Sequence, residues 1–233
     1  MRIFQKGFHF AQDGPGNRLV YHLSGCNMHC PWCSNPEGMC AFGGTEVSLL
    51  DMVSECERSK PMFFSGGGVT FTGGEATMQA EELMQLLEKL LEKHIHTAIE
   101  TNGTSKHLLE LSEYIDYLIM DFKHFDSRCL QSVTGVGNEQ IRKNLAALCD
   151  SGRQLHIRIP LIAGFNAENP QGFVDCFRSL RTENVVFEFL PYHEYGKSKW
   201  KTEYKVQNGF ISEEQLRAFR DMFEAHGLKT VTT

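Results

Sequence analysis

Six short, apolar, β-prone segments recur along this 233-residue chain, and each leads into a stretch with helical spacing. The strands are read at 18–25 (RLVYHLSG), 69–74 (VTFTGG), 96–103 (HTAIETNG), 116–123 (DYLIMDFK), 155–162 (LHIRIPLI) and 185–192 (VVFEFLPY). The helices between them show leucines three and four residues apart, as in MQAEELMQLLEKLLEKH and SKHLLELSEYI, and end signals mark their limits. Ser48 is the N-cap of SLLDMVSECERS, and Gly152 closes EQIRKNLAALCDSG. Asn169 and Pro170 open a helix as cap and first residue, and Ser212 with Gln215 spells a capping box. Consecutive parallel strands need a crossover, which is right-handed almost without exception. The order predicts an α/β fold, a partial or open (βα)6 barrel, since a closed eight-unit barrel takes about 250 residues and two more strands.

In such a fold the C-terminal strand ends form one rim, and that rim hosts chemistry. Polar and glycine residues collect there: Gly25, Thr72 to Glu75, Glu100 to Gly103, Asp121, Lys123, Arg158 and Tyr192-His193. At 41% hydrophobic, the chain can bury one large core, and no repeat or linker divides it, so residues 1–233 are expected to form a single domain. A formal net charge of -6 argues against nucleic acid or an anionic membrane as a partner. No uninterrupted apolar run approaches about 18 residues, and the charged start is followed by none. A cytoplasmic protein is expected. In that reducing compartment the eight cysteines read as metal ligands, nucleophiles or buried thiols rather than disulfides.

Three of the eight fall within eight residues, Cys26, Cys30 and Cys33 in SGCNMHCPWCSNPEG. Thiolates hold iron-sulfur clusters, and the C-x-x-x-C-x-x-C spacing lets one loop wrap three corners of a 4Fe-4S cubane, leaving the fourth iron for a small molecule. The rival is a Cys3His zinc site completed by His22 or His29, although no second C-x-x-C hook exists. Unligated thiols are the remaining reading. Cys56, Cys149 and Cys176 lie on apolar helical faces and read as small buried hydrophobes. Cys40 and Cys129 are undecided.

With Trp32 before the last cysteine, the triplet resembles the signature of radical S-adenosylmethionine (SAM) enzymes. DGPGNR, SGGGVTFTGGEA, ETNG, IMDFK and above all LPYHEYGKSKW resemble the glycyl radical enzyme activases, most closely those of pyruvate formate-lyase. The likeness runs from about Gly14 to the C-terminus. It implies a partial (βα)6 TIM-like barrel of the radical SAM type, with a cluster loop at 26–36, one 4Fe-4S cluster and SAM. The reaction implied is reductive SAM cleavage, after which a 5'-deoxyadenosyl radical takes hydrogen from a backbone glycine of the partner enzyme. A glycyl radical enzyme, most closely a formate acetyltransferase, is the implied protein substrate, and a flavodoxin or ferredoxin the electron donor.

The resemblance also assigns residues. Gly73, Gly74 and Glu75 match the GGE motif at the methionyl amine, where glycine permits close backbone approach; a tight turn explains the glycines equally. Asp121 and Lys123 match positions near the ribose and sulfonium, beside Phe122, although an Asp-x-Lys pair is often only a rim ion pair. Arg158, flanked by apolar neighbours, must find a partner, either a SAM carboxylate or a neighbouring acid. His193 matches a histidine at the adenosyl group, and Trp32, Cys33 and Ser34 flank the cofactor. Glu100, Thr101, Ile119 and Asp121 align with a monovalent-cation site in which an aspartate stands at the first position. Asp13 and Ser34 are the candidate contacts to the partner peptide; the pyruvate formate-lyase activators carry a histidine where this chain has Ser34. Other activases insert a ferredoxin-like segment with two four-cysteine motifs after the triplet. Here only Cys40 and Cys56 lie between Cys33 and Val69, which favours the compact type. Residues 196–210, GKSKWKTEYKVQNGF, carry four lysines among aromatics and read either as a docking face or as a solvated loop.

Overall fold

The first strand is one that periodicity does not reveal. β1 (Arg2–Phe10) in the computed structural model, which describes residues 1–232, holds Lys6 and Gly7 at its centre and is buried mainly at Ile3. It is antiparallel to β2 (Asn17–Leu23), with a register shift between Ile3 and Gln5. Its start also pairs with β3 (Thr45–Glu46). β2 then runs parallel to β4 (Gly68–Gly73), and β4 parallel to β5 (Thr97–Thr101).

These strands belong to the first of two compact units, made of residues 1–27, 35–101 and 105–119. α1 (Leu49–Ser59), α2 (Ala80–Glu92) and α3 (Leu108–Ser112) belong to it too. β2 and β4 are buried almost throughout, as parallel strands covered on both faces must be, and so read as continuous apolar runs. α2 buries Leu83, Leu86, Leu87 and Leu90 completely, each worth about 2 kcal/mol of apolar transfer. The Ser48 hydroxyl accepts from the Asp51 N–H, as the sequence predicts. The stretch predicted as one helix from Met78 begins instead as a 3₁₀ turn, Ala76–Gln79, because the Glu75 carboxylate caps Thr77 N–H and fixes an earlier, tighter start.

Arg18, inside β2, is fully buried. Its Nε donates to Thr70 Oγ1 (2.6 Å), Nη2 to the Val69 carbonyl (2.7 Å) and Nη1 to the Pro15 carbonyl (3.0 Å). Desolvation lowers its pKa to about 10, offset in part by Asp116 and Asp13, so it stays charged at neutral pH. Thr70 in turn donates to the Asp13 carbonyl (2.7 Å), and the pair pins the DGPG turn to β4.

The second unit comprises residues 28–34, 102–104 and the chain from Met120 onward. β6 (Tyr117–Asp121) passes from one unit to the other at Met120. β7 (Leu155–Leu161), β8 (Val185–Pro191) and β9 (Thr230–Val231) are mutually parallel in that order. α4 (Ser127–Thr134) was not legible in the sequence, since it buries only Leu130 and Thr134. α5 (Glu139–Asp150), α6 (Pro170–Phe177) and α7 (Glu213–Ala225) match the predicted segments, with Pro170 in the first turn and the Ser212–Gln215 capping box formed. The core here is aromatic: Phe177, Phe187, Phe189 and Phe223 meet edge to face at 4.7 to 5.1 Å. All six predicted strands form, most pairs are parallel, and the fold is α/β as expected.

Candidate active site

In the first unit the glycine motif stands at the end of β4, the strand between β2 and β5. Gly74 N–H donates to the Leu23 carbonyl (2.9 Å), and Glu75 N–H to the Gly25 carbonyl (2.7 Å), directly before Cys26. A Cβ at Gly74 would stand 2.3 Å from the Gly25 oxygen and 2.4 Å from the Gly38 oxygen. Gly73 has φ +119, a value that favours glycine. The Glu75 side chain is buried and accepts from Thr77 N–H (3.1 Å), Thr77 Oγ1 (2.5 Å) and Thr101 Oγ1 (2.7 Å). Its carboxylate thus joins the turn after β4 to the end of β5. Glu100 accepts from Thr72 Oγ1 (2.9 Å). Thr101 and Glu100, two of the expected cation ligands, thus both engage protein groups, and the third, Ile119, is wholly buried in β6. Asp13 is half-buried and lies 2.6 Å from His9 Nδ1.

The second unit holds Cys30 and Cys33; Cys26 belongs to the first. Cys30 is buried, Cys26 and Cys33 are half-buried, and none of the three is in a disulfide. Cys33 N–H donates to the Cys30 carbonyl (3.1 Å), closing the C-P-W-C turn, and His29 N–H donates to the Thr134 carbonyl (2.9 Å) at the end of α4. Trp32 packs on Phe165 at 4.7 Å, and Phe165 on His124 at 4.9 Å. The loop is also held from the far end of the chain: Trp200 Nε1 donates to the Cys33 carbonyl (3.1 Å), and Gly196 lies against the backbone of Ser34.

His124 accepts at Nδ1 from Asp126 N–H (2.8 Å) and faces the Phe165 carbonyl with Nε2 (3.1 Å), which fixes the neutral tautomer. Burial pulls its pKa below the usual 6.5, against the opposing pull of the Phe165 carbonyl. An unfolded chain therefore takes the proton first, and stability falls as pH drops below about 6.5. Between about pH 7 and about pH 5.5 the urea midpoint is expected to fall further in the wild type than in His124→Phe; equal falls would remove His124 from the account.

Asp121, at the end of β6, carries the Lys123 ammonium on its carboxylate, so a cation already occupies that oxygen. Phe122, an expected neighbour of the cofactor, has its ring buried against Phe177 (5.0 Å), and its N–H donates to the Arg158 carbonyl (2.8 Å). Arg158 has found a neighbouring acid. Its Nε donates to Glu188 Oε2 (2.8 Å), with His156 Nε2 at 3.1 Å from the same oxygen, and all three side chains are buried. His193 stacks on Tyr195 at 4.2 Å, and partial burial pulls its pKa down.

A model of the radical SAM superfamily matches residues 20–177, well over half of the sequence. The chain belongs to the radical SAM superfamily. It is 33% identical over 204 residues to the pyruvate formate-lyase-activating enzyme of Clostridium pasteurianum, covering 84% of this chain and 85% of the relative. Identity to the same enzyme of Staphylococcus aureus is 35% over 203 residues, covering 82% and 80%. The 4-hydroxyphenylacetate decarboxylase activating enzyme of Clostridioides difficile is 29% identical over 297 positions, covering 97% and 94%. Among solved structures, a domain of the activating enzyme from Bacteroides vulgatus superposes with a TM-score of 0.61 at 29% identity, covering 71% of this chain and 98% of that one. Streptococcus suis SuiB bound to S-adenosylmethionine superposes at 0.68 and 18% identity, over 92% and 49%, which shows a shared fold. The likeness to activases read from the motifs holds, and radical SAM enzymes use a 4Fe-4S cluster and SAM.

The donor chemistry of this radical SAM chain fits such a cluster: three thiols on one loop whose backbone is tied at Cys26, His29 and Cys33. Among the described residues no three His, Cys, Asp or Glu side chains stand ready to hold a single metal ion. For the zinc rival, His29 is exposed and His22 is buried between Phe4 (5.6 Å) and His9 (5.7 Å). Of the other thiols, Cys56 and Cys149 are buried, with pKa pushed up by desolvation to about 12 and about 11, Cys176 is half-buried, and Cys40 and Cys129 are exposed. Gly196 and Trp200 carry no role legible from the residues alone, although both lie in the motif LPYHEYGKSKW. A tryptophan four residues past a glycine gives no sign of which distant carbonyl it reaches.

Proposed function

We propose that this chain, acting as a single radical SAM domain in the cytoplasm, activates a formate acetyltransferase of the pyruvate formate-lyase type. What supports that target is the compactness of the match. The two pyruvate formate-lyase activators align over 204 and 203 positions, whereas the decarboxylase activator needs 297, more than this chain contains, so that relative carries segments absent here.

In this reading Cys26, Cys30 and Cys33 hold the cluster. The cluster and SAM, when bound, supply a one-electron cleavage whose 5'-deoxyadenosyl radical takes hydrogen from a backbone glycine of the partner. The chain's own work is positioning and exclusion of water. The Gly73-Gly74-Glu75 backbone receives the methionyl amine, Asp121 and Lys123 lie toward the ribose and sulfonium, and Arg158 takes a carboxylate. His193 with Trp32 and Ser34 borders the adenosyl group, and Phe122 contributes through its backbone alone. A monovalent cation at Glu100, Thr101, Ile119 and Asp121 belongs to this reading only if Lys123 swings off Asp121. Asp13 and Ser34 meet the incoming peptide. A flavodoxin or ferredoxin delivers the electron, and neither nucleic acid nor membrane takes part; among the described residues no helix is long and apolar enough to cross a membrane.

The test is anaerobic reconstitution with iron and sulfide, then incubation with SAM, reductant and a panel of glycyl radical enzymes. A glycyl doublet in electron paramagnetic resonance is expected with the formate acetyltransferase alone; a doublet with another partner reassigns the target. Serine at Cys26, Cys30 or Cys33 is expected to abolish SAM cleavage and most of the about four irons per chain. Iron content unchanged in all three variants would reject the cluster assignment.

A further inference from the structure

The chain is acidic overall, yet Lys197, Lys199, Lys201 and Lys205 fall within nine residues, against only Glu203 in the same span. All four lysines are exposed. A solvated loop would leave such a segment untethered, and this one is tied at three points. Trp200 donates to the Cys33 carbonyl, the Tyr204 hydroxyl lies 2.9 Å from that of Tyr192, and Gly196 is pressed on Ser34 with no room for a side chain. Lys197 is held by Glu194 at 2.9 Å and lies 5.6 Å from the centre of the Tyr204 ring. Tyr195 is 82% exposed beside it. The outcome is a cationic face on a fixed scaffold, one hydrogen bond away from a cluster-ligand cysteine.

We infer that this face, Tyr195 to Lys205, is where a small acidic one-electron carrier protein docks to deliver its electron beside Cys33. Charge complementarity selects the partner: on a chain of net charge -6, a concentration of lysines is a place where an acidic carrier is attracted, and such local fields set encounter rate and orientation. In the transfer the carrier loses one electron and the cluster gains it; no bond, proton or group moves. The inference rests on the cluster reading above and adds to it the site of electron entry.

The test uses the reconstituted protein and a purified flavodoxin. Glutamate at all four lysines is expected to raise the flavodoxin Kd at least about tenfold, to remove its dependence on ionic strength and to slow cluster reduction by reduced flavodoxin in proportion. Reduction by dithionite is expected to stay at the wild-type rate. The milder pair Lys201→Glu with Lys205→Glu is expected to show a smaller shift in the same direction, and serves if the fourfold variant does not fold. Wild-type flavodoxin affinity in either folded variant overturns the docking face. So does loss of affinity for the glycyl radical enzyme with flavodoxin binding intact, which would give the lysines to that partner. Failure of the wild-type protein to take up iron would overturn the functional reading instead, while the flavodoxin titration still decides the face.

Discussion

Alanine at Gly196 is expected to cost this protein most of its iron. An ideal Cβ there would stand 2.4 Å from Ser34 Cα, 2.6 Å from the Ser34 oxygen and 2.7 Å from its carbonyl carbon. All three atoms are backbone, so no rotamer change relieves the overlap. Gly196 has φ -88, which any residue adopts, so the effect is steric and not conformational. Either the segment lifts, breaking the Trp200 bond to the Cys33 carbonyl, or the loop after Cys33 shifts and takes the thiol with it. Overpacking of this kind costs about 1–3 kcal/mol, a loss of roughly 2–12 °C in Tm for a chain of this size. The larger effect is on the cluster, because a displacement of about 1 Å is enough to spoil a ligand constellation. Iron per chain after reconstitution and Trp200 fluorescence read the two consequences; full iron with an unchanged Tm would show that the packing is not as described.

The second large effect is at Glu188. Leucine there is expected to destabilise the fold by about 3–5 kcal/mol, since it strips a buried guanidinium of its carboxylate while leaving the charge in place. Arg158 and Glu188 are each at most 6% exposed as side chains, and Oε2 also lies near His156. The double variant Arg158→Met with Glu188→Leu is expected to recover most of that loss, because an apolar pair of similar volume replaces a buried ion pair at little net cost. Urea unfolding of the two variants checks this, and a double variant as unstable as the single one would refute it. SAM binding separates the roles of Arg158: if the guanidinium also reaches a cofactor carboxylate, the double variant regains stability without regaining affinity.

Much of the architecture was legible in the residues. Parallel strands buried on both faces read as apolar runs, and caps such as Ser48, Asn169 and Ser212 are local chemistry that needs only neighbours two or three positions away. β1 was not legible, because a strand with a single buried residue, Ile3, shows no apolar run. β3 and β9, at two residues each, carry too few side chains to show a period. The glycines of the GGE motif stand where backbone meets backbone, Gly74 against Gly25 and Gly38, and the destination of Glu75 was not legible, because Thr101 lies 26 positions away.

Sequence by itself determined the α/β order, the family and the thiol triplet, since each rests on spacing along the chain. Tertiary structure decided which groups those residues spend their bonds on. Arg158 went to Glu188, Asp121 to Lys123 and Phe122 to the aromatic core, while Gly196 and Trp200 were brought to the cysteine loop across more than 160 positions. The physical reason is that a buried charge or donor must be satisfied by whatever the fold brings within hydrogen-bond distance, and no local pattern names that partner in advance.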